Sequence, residues 1–189
     1  MKTDLRVLKT KEALHESLIS LLKERPLESI SITGICKAAK INRGTFYQHY
    51  GKVEDLFEEY FKEIMKDLAE SYKEPYRHVE RLKTPALNPA AIRIFHHIEK
   101  YKKFYFIVFS KNVPLSYYYL LFEEINALMK QDFLSHPLIG EGIAIDMLSA
   151  YQSNAILGMV IEWHRQDFEK SATHMNEQLV KILNLVTGN

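Results

Sequence analysis

The 189 residues carry 25 Lys/Arg and 24 Asp/Glu, and 47 % of the chain is apolar. That balance excludes an intrinsically disordered chain, which needs low hydrophobicity and high net charge. Gly and Pro number only 7 and 6, about half their usual combined share of roughly 12 %. A fold built on tight strand turns is excluded with them, because such turns draw on Gly. The expected class is all-α.

Thr3 or Asp4 can cap a first helix, and Leu14, Leu18, Leu21 and Leu22 then form one amphipathic stripe. Pro26 stops it. After a short connection over 27–30, Ser31 is placed to cap a second helix whose inner face is Ile32, Ile35, Cys36 and Ala39. Lys40-Ile41-Asn42 breaks that helix, and Asn42 caps a third over 43–49. A fourth follows Gly51 with the stripe Phe57, Tyr60, Phe61, Ile64 and Leu68. Pro75, Pro85 and Pro89 mark a linker over about 74–88. Further helices are expected over 89–100, 102–110, 115–134, 142–168 and 171–186, with His136-Pro137 and Gly140 as punctuation.

The single cysteine, Cys36, excludes an internal disulfide and a thiolate-rich zinc site. It reads as a small buried apolar residue. No apolar run approaches the ~20 residues of a spanning helix, and the start has no signal-peptide core. A soluble, cytoplasmic protein without membrane contact is expected. His96-His97 is the one candidate metal pair, but neighbours on a helix point about 100° apart, and no His-Glu-x-x-His accompanies them. Phosphate-loop, nucleophile-elbow and paired-carboxylate motifs are absent, so no metal, cofactor or catalytic residue is expected.

Charge divides unevenly. Residues 1–52 hold ten Lys/Arg against five Asp/Glu, whereas the rest holds 15 against 19. A basic head on an acidic body is the layout of a nucleic-acid binder. Two short helices joined by a tight turn, with a third behind, make a helix-turn-helix unit. Its second helix sends its N-terminal residues into the major groove. Here that helix offers Arg43 to guanine edges or phosphate, Thr45 with a hydroxyl and a methyl, and Gly44 for close approach. Tyr47 and His49 are suited to phosphate oxygens, and Phe46 to anchoring. Gly34 and Gly44 both call for a reason, since Gly inside a helix costs about 1 kcal/mol against Ala.

The run Ser31-Ile32-Thr33-Gly34-Ile35-Cys36-Lys37-Ala38-Ala39-Lys40-Ile41-Asn42-Arg43-Gly44-Thr45-Phe46-Tyr47-Gln48-His49-Tyr50 resembles the signature of TetR-type bacterial transcription regulators. The likeness spans about 14–68. Two positions depart from the pattern: Lys40 stands where Gly is usual at the turn, and Lys52 sits one place before the family's Lys, with Val53 in its position. The resemblance implies a DNA-binding domain over 1–52 and a helical regulatory and dimerisation domain over 53–189. It also implies a homodimeric repressor on a palindromic operator in double-stranded DNA. Ser31, Thr33, Asn42, Arg43, Gly44, Thr45, Tyr47, His49 and Lys52 would face that DNA.

The 142–168 helix is apolar on nearly every side, so part of it needs a partner beyond this chain. With the last helix it is expected to form the dimer contact, through Leu157, Ile161, Leu179 and Leu183. Aromatic residues crowd the body, with polar residues between them, as in an effector pocket. His96, Phe106, Tyr119, Phe122, Tyr151, Gln152 and Asn154 are the candidate lining for a small apolar or aromatic effector. The run Tyr117-Tyr118-Tyr119 turns so far around a helix that at least one ring must be exposed. Two rival readings fit the same residues: a TetR-like co-regulator that binds another protein, and a small helical ligand-binding protein. Salt-dependent binding to duplex DNA separates the main reading from both.

Overall fold

The computed structural model describes residues 5–73, 88–135 and 142–187. Among these residues there are nine α-helices and no strand. The head holds α1 (Leu5–Leu22), α2 (Ile32–Ala39) and α3 (Arg43–Tyr47). The body holds α5 (Ile94–Lys100), α6 (Lys102–Val108), α7 (Ser116–Ser135), α8 (Ile145–Arg165) and α9 (Ala172–Thr187), and α4 (Val53–Lys73) serves both. The expected cap at Thr3 or Asp4, the Pro75–Pro85 linker and the His136-Pro137 and Gly140 breaks lie outside the described residues.

Local chemistry explains the helix ends. The Ser31 hydroxyl accepts from the Gly34 amide at 3.1 Å, and the Asn42 side chain accepts from the Thr45 amide at 2.7 Å. Both satisfy donors that a helix start leaves unpaired. A Cβ on Gly34 or Gly44 would sit 3.3 Å from the capping oxygen, a tight contact that glycine avoids. Lys40 closes α2 in the left-handed region, at φ 56° and ψ 40°. A non-glycine residue there is uncommon, and the Lys bears the strain Gly would avoid.

The 89–100 segment departs from the expected single helix. Pro89–Ala91 forms a 3-10 turn capped by Asn88, Ile92 is extended, and α5 begins only at Ile94. The break lets Ile92, Ile94, Phe95 and Ile98 all reach the core. At the other end, Asp167 and Phe168 have φ of 52° and 53° and turn the chain from α8 into α9. That turn is held by the Trp163 indole, which donates to the Lys170 carbonyl at 2.9 Å, and by Phe168 edge-on to Trp163.

One apolar core runs through head and body. α4 carries it across. Its Phe57 and Phe61 meet Phe104 of α6 and Tyr117 of α7, with ring centroids 4.7–6.2 Å apart. Its polar residues tie the same elements. Lys11 of α1 donates to Glu59 at 2.6 Å, and Lys100 of α5 donates to Asp67 at 2.6 Å. His97 is buried between Asp67, 2.8 Å from Nδ1, and the Tyr105 hydroxyl, 2.9 Å from Nε2. A carboxylate only accepts, so Nδ1 carries the proton and Nε2 accepts from Tyr105. Burial lowers the His97 pKa despite the neighbouring Asp67. The adjacent His96 faces elsewhere, within 3.3 Å of Asn176 on α9.

A loop of the body also grips the head. The Leu27 amide donates to the Asn112 carbonyl at 2.9 Å, and the Asn112 side-chain amide donates to the Leu22 carbonyl at 2.8 Å.

Candidate nucleic-acid interface

Asn42 starts α3, and the residues that follow divide by helical phase. Phe46 and Tyr50 point inward and are buried. Arg43, Gly44 and Tyr47 are exposed, and Thr45 is half-buried. The Arg43 guanidinium donates to the Tyr47 hydroxyl at 3.1 Å and lies 5.8 Å from the Tyr47 ring centroid. That i,i+4 pair holds the guanidinium over α3 while its remaining donors point to solvent. The Thr45 hydroxyl donates to the Asn42 side-chain oxygen at 3.0 Å. Ser31, Thr33, Asn42 and Lys52 are exposed around this face, and His49 is half-buried against Tyr50. The structure thus brings all nine residues of the candidate DNA face to the outside of the head or its edge.

Sequence reasoning missed what holds α3 in place. The Tyr50 hydroxyl donates to the Glu59 carboxylate, which also receives Lys11. Burial and then the Glu59 hydrogen bond push the Tyr50 pKa well up, so the phenol stays a donor. Burial pushes Glu59 up, but the bonds from Lys11 and Tyr50 outweigh it and lower its pKa. No spacing rule links Lys11, Tyr50 and Glu59. Val53 is buried, and the Lys in front of it is the exposed residue. The Gly51 and Lys52 amides both donate to Asp55 Oδ2 at 3.1 Å, fixing the start of α4. Cys36 is buried, and burial raises its thiol pKa.

In the body, the candidate effector residues differ in exposure. Tyr119 and Tyr151 are 56 % and 65 % exposed, and Phe106 and Asn154 are exposed as well. Asn154 donates to the Ala150 carbonyl on its own helix, and Phe106 lies against His164. His96, Phe122 and Gln152 are half-buried on three different helices. Of the expected dimer residues, Leu157 falls inside this chain: it is 1 % exposed and belongs to the chain's own core. Ile161, Leu179 and Leu183 are half-buried.

The reason is the phase of α8. Its small Ser149 and Ser153 are fully buried, and they point the large residues at the opposite phase outward. Met147 is 74 % exposed, and Ala155 and Gly158 continue its line with Tyr151. A Cβ on Gly158 would meet nothing within 4 Å. On α9, Ile182 and Leu185 are exposed, the latter at 81 %. Among the described residues no group of three potential metal ligands is assembled, and no helix is long and apolar enough to cross a membrane.

A capped two-helix turn with a polar outer face, carried on a helical body, defines a helix-turn-helix protein. Residues 10–60 match the family described as bacterial regulatory proteins, tetR family, and residues 86–185 match the transcriptional regulator C-terminal region of the same group. The chain belongs to the TetR family of bacterial transcriptional regulators. Over 56 residues it is 38 % identical to an uncharacterized HTH-type transcriptional regulator, YxbF of Bacillus subtilis. That match takes in 29 % of this chain and 15 % of YxbF. The fold is similar to that of the fatty acid degradation regulator FadR from Bacillus halodurans, with a TM-score of 0.70 at 13 % identity over 97 % of this chain and 96 % of that one. It is also similar to NalD, the secondary repressor of the MexAB-OprM multidrug efflux pump in Pseudomonas aeruginosa. There the TM-score is 0.67 at 19 % identity, over 95 % and 96 % of the two chains. FadR from Bacillus subtilis, solved in complex with stearoyl-CoA, gives 0.66 at 16 % identity over 94 % and 97 %.

Proposed function

We propose that the chain is a homodimeric repressor that binds a palindromic operator in duplex DNA and responds to a small, mainly apolar effector. The observation that carries the DNA reading is α3. It is a short capped helix pinned from behind by Phe46 and Tyr50, with Arg43, Thr45 and Tyr47 held outward. The repressor and effector parts draw support from NalD, the secondary repressor of a multidrug efflux pump, and from FadR of Bacillus subtilis, solved in complex with stearoyl-CoA. Incubating the purified chain with a random duplex library tests the proposal. A recovered palindrome supports it, and no enrichment favours a co-regulator that binds another protein.

Two substitutions separate base reading from phosphate contact. Arg43→Ala should weaken specific DNA by roughly 1–3 kcal/mol and relax base preference. Lys52→Ala should weaken all sequences alike and lower the slope of log affinity against log salt by about 1. Fluorescence anisotropy at several salt concentrations reads both.

The dimer is assigned to the exposed stripe Met147, Tyr151, Ala155 and Gly158 of α8 with Ile182 and Leu185 of α9. Such a stripe on two neighbouring helices suits a two-fold contact in which the same patch meets itself. The small residues Ala155 and Gly158 leave room for a helix to approach. Combining Met147→Glu with Leu185→Glu places charge in that contact without touching the chain's own core. Sedimentation should then give a folded monomer where the parent gives a dimer. A parent that sediments as a monomer at micromolar concentration overturns the assignment.

A further inference from the structure

A cleft among the described residues is lined by none of the candidate effector residues, although Phe106 lies against one of its wall residues, His164. It measures about 910 Å³ and opens where the head meets the body. Glu28, just after the α1 stop, forms the head side. The end of α6, the 110–115 loop, the start of α7 and the end of α8 form the rest.

Its walls differ in character. Val108, Phe109, Pro114, Leu115, Tyr118 and Ile161 give an apolar lining. Lys111 and Arg165 bring two cations to the same cleft, against the single carboxylate of Glu28. Lys111 is exposed, whereas Arg165 shares its charge with Glu162 at 3.5 Å. His164 completes the wall. Its ring sits among Phe106, Phe109 and Phe168, with centroids 5.0–5.7 Å away, and its Nε2 is buried without a hydrogen-bond partner. Buried polar atoms are normally paired.

We infer that this cleft binds a small amphiphilic anion, with its hydrocarbon or aromatic body on the Phe109–Tyr118 side and its acid group toward Lys111 and Arg165. A mostly apolar cleft with a few convergent polar groups is the usual build of a small-molecule site. The position gives the site a consequence. Asn112, whose two hydrogen bonds grip Leu22 and Leu27 of the head, lies in the loop that forms the cleft. A ligand seated between Glu28 and that loop acts on the grip, and shifts whichever head position it prefers. This consequence rests on the reading of the chain as an effector-controlled DNA binder. The binding itself does not.

The test is calorimetric titration of the full-length parent chain with decanoate and with 1-decanol, both below their aggregation limits and without DNA. Decanoate should bind saturably at one site per chain, at least tenfold tighter than the alcohol. Lys111→Glu changes an exposed side chain and leaves the core alone. It should cost decanoate at least tenfold and the alcohol little, and Arg165→Ala should act in the same direction. Absence of saturable binding, equal affinity for acid and alcohol, or decanoate affinity unmoved by both substitutions overturns the site. Because the titration contains no DNA, those results leave the operator reading untouched. A failed duplex selection would conversely leave the titration result standing.

Discussion

Phe46→Ala is expected to destabilise the chain by about 3–5 kcal/mol and to remove DNA binding more completely than the loss of any outward side chain of α3. Phe46 is fully buried beneath a helix only five residues long. A helix that short does not persist by itself, since nucleation fixes several residues for one hydrogen bond. What keeps Arg43, Thr45 and Tyr47 in register is therefore what lies under them. Phe46 meets Tyr47 edge-on at 6.0 Å and Tyr50 at 5.6 Å, in the same core as Leu14, Leu18 and Ile35. Truncation to Ala removes a ring from a fully dry site, so the transfer and cavity contributions both apply. Urea titration followed by circular dichroism measures the effect as a shift in midpoint at unchanged slope. Phe46→Leu should restore most of the stability but less of the operator affinity, because it fills the volume without the ring contacts that position Tyr47 and Tyr50. A loss below 1 kcal/mol for the Ala variant would contradict this account of the head.

The head was far more legible than the body, and the reason lies in phase. In the head each short helix has a polar cap and one apolar face, so Ser31, Asn42, Ile35 and Phe46 read directly from spacing. α8 offers no such contrast. With apolar residues on every side, its sequence does not say which side is inside. The deciding residues are Ser149 and Ser153, small enough to let α7 close upon them, and Ser153 donates back to the Ser149 carbonyl at 2.7 Å. Their burial puts Leu157 inside and Met147 and Tyr151 outside, the reverse of reading Leu157 as a contact residue. The aromatic residues mislead in the same way. Tyr117 packs on Phe57 while Tyr119, two positions on, stands exposed. The grip of Asn112 on Leu22 spans 90 residues of chain, and the cleft beside it exists only because that loop, Glu28 after α1 and the end of α8 meet in space. No local pattern encodes such a meeting.

Acid should unfold this chain along a limb set largely by two buried histidines. His15 on α1 stacks on Tyr60 of α4 at 4.3 Å, and its Nε2 is buried without a partner. Burial depresses its pKa from 6.5 to about 4, outweighing the pull of Glu59. Burial lowers His97 as well, although Asp67 opposes it. Both folded-state values lie below the unfolded value, so the unfolded chain binds more protons as pH falls. The stability they lend is complete above pH 6.5. For His15 it is lost progressively as pH falls from about 6.5 to about 4, and further acidification takes nothing more from that residue. At 1.36 kcal/mol per pH unit the His15 share is at most about 3 kcal/mol, less where solvent reaches the ring. His15→Phe keeps a ring for Tyr60 to stack on and removes the proton site. Urea midpoints taken between pH 7.5 and 4 should fall more shallowly for this variant than for the parent. The two curves should run parallel above pH 7. His97→Phe gives a different result, because it also strips Asp67 and Tyr105 of a hydrogen-bond partner. That variant should be weaker at every pH while its acid slope flattens. An acid limb unchanged by His15→Phe would show that the ring is not held neutral at the α1–α4 seam.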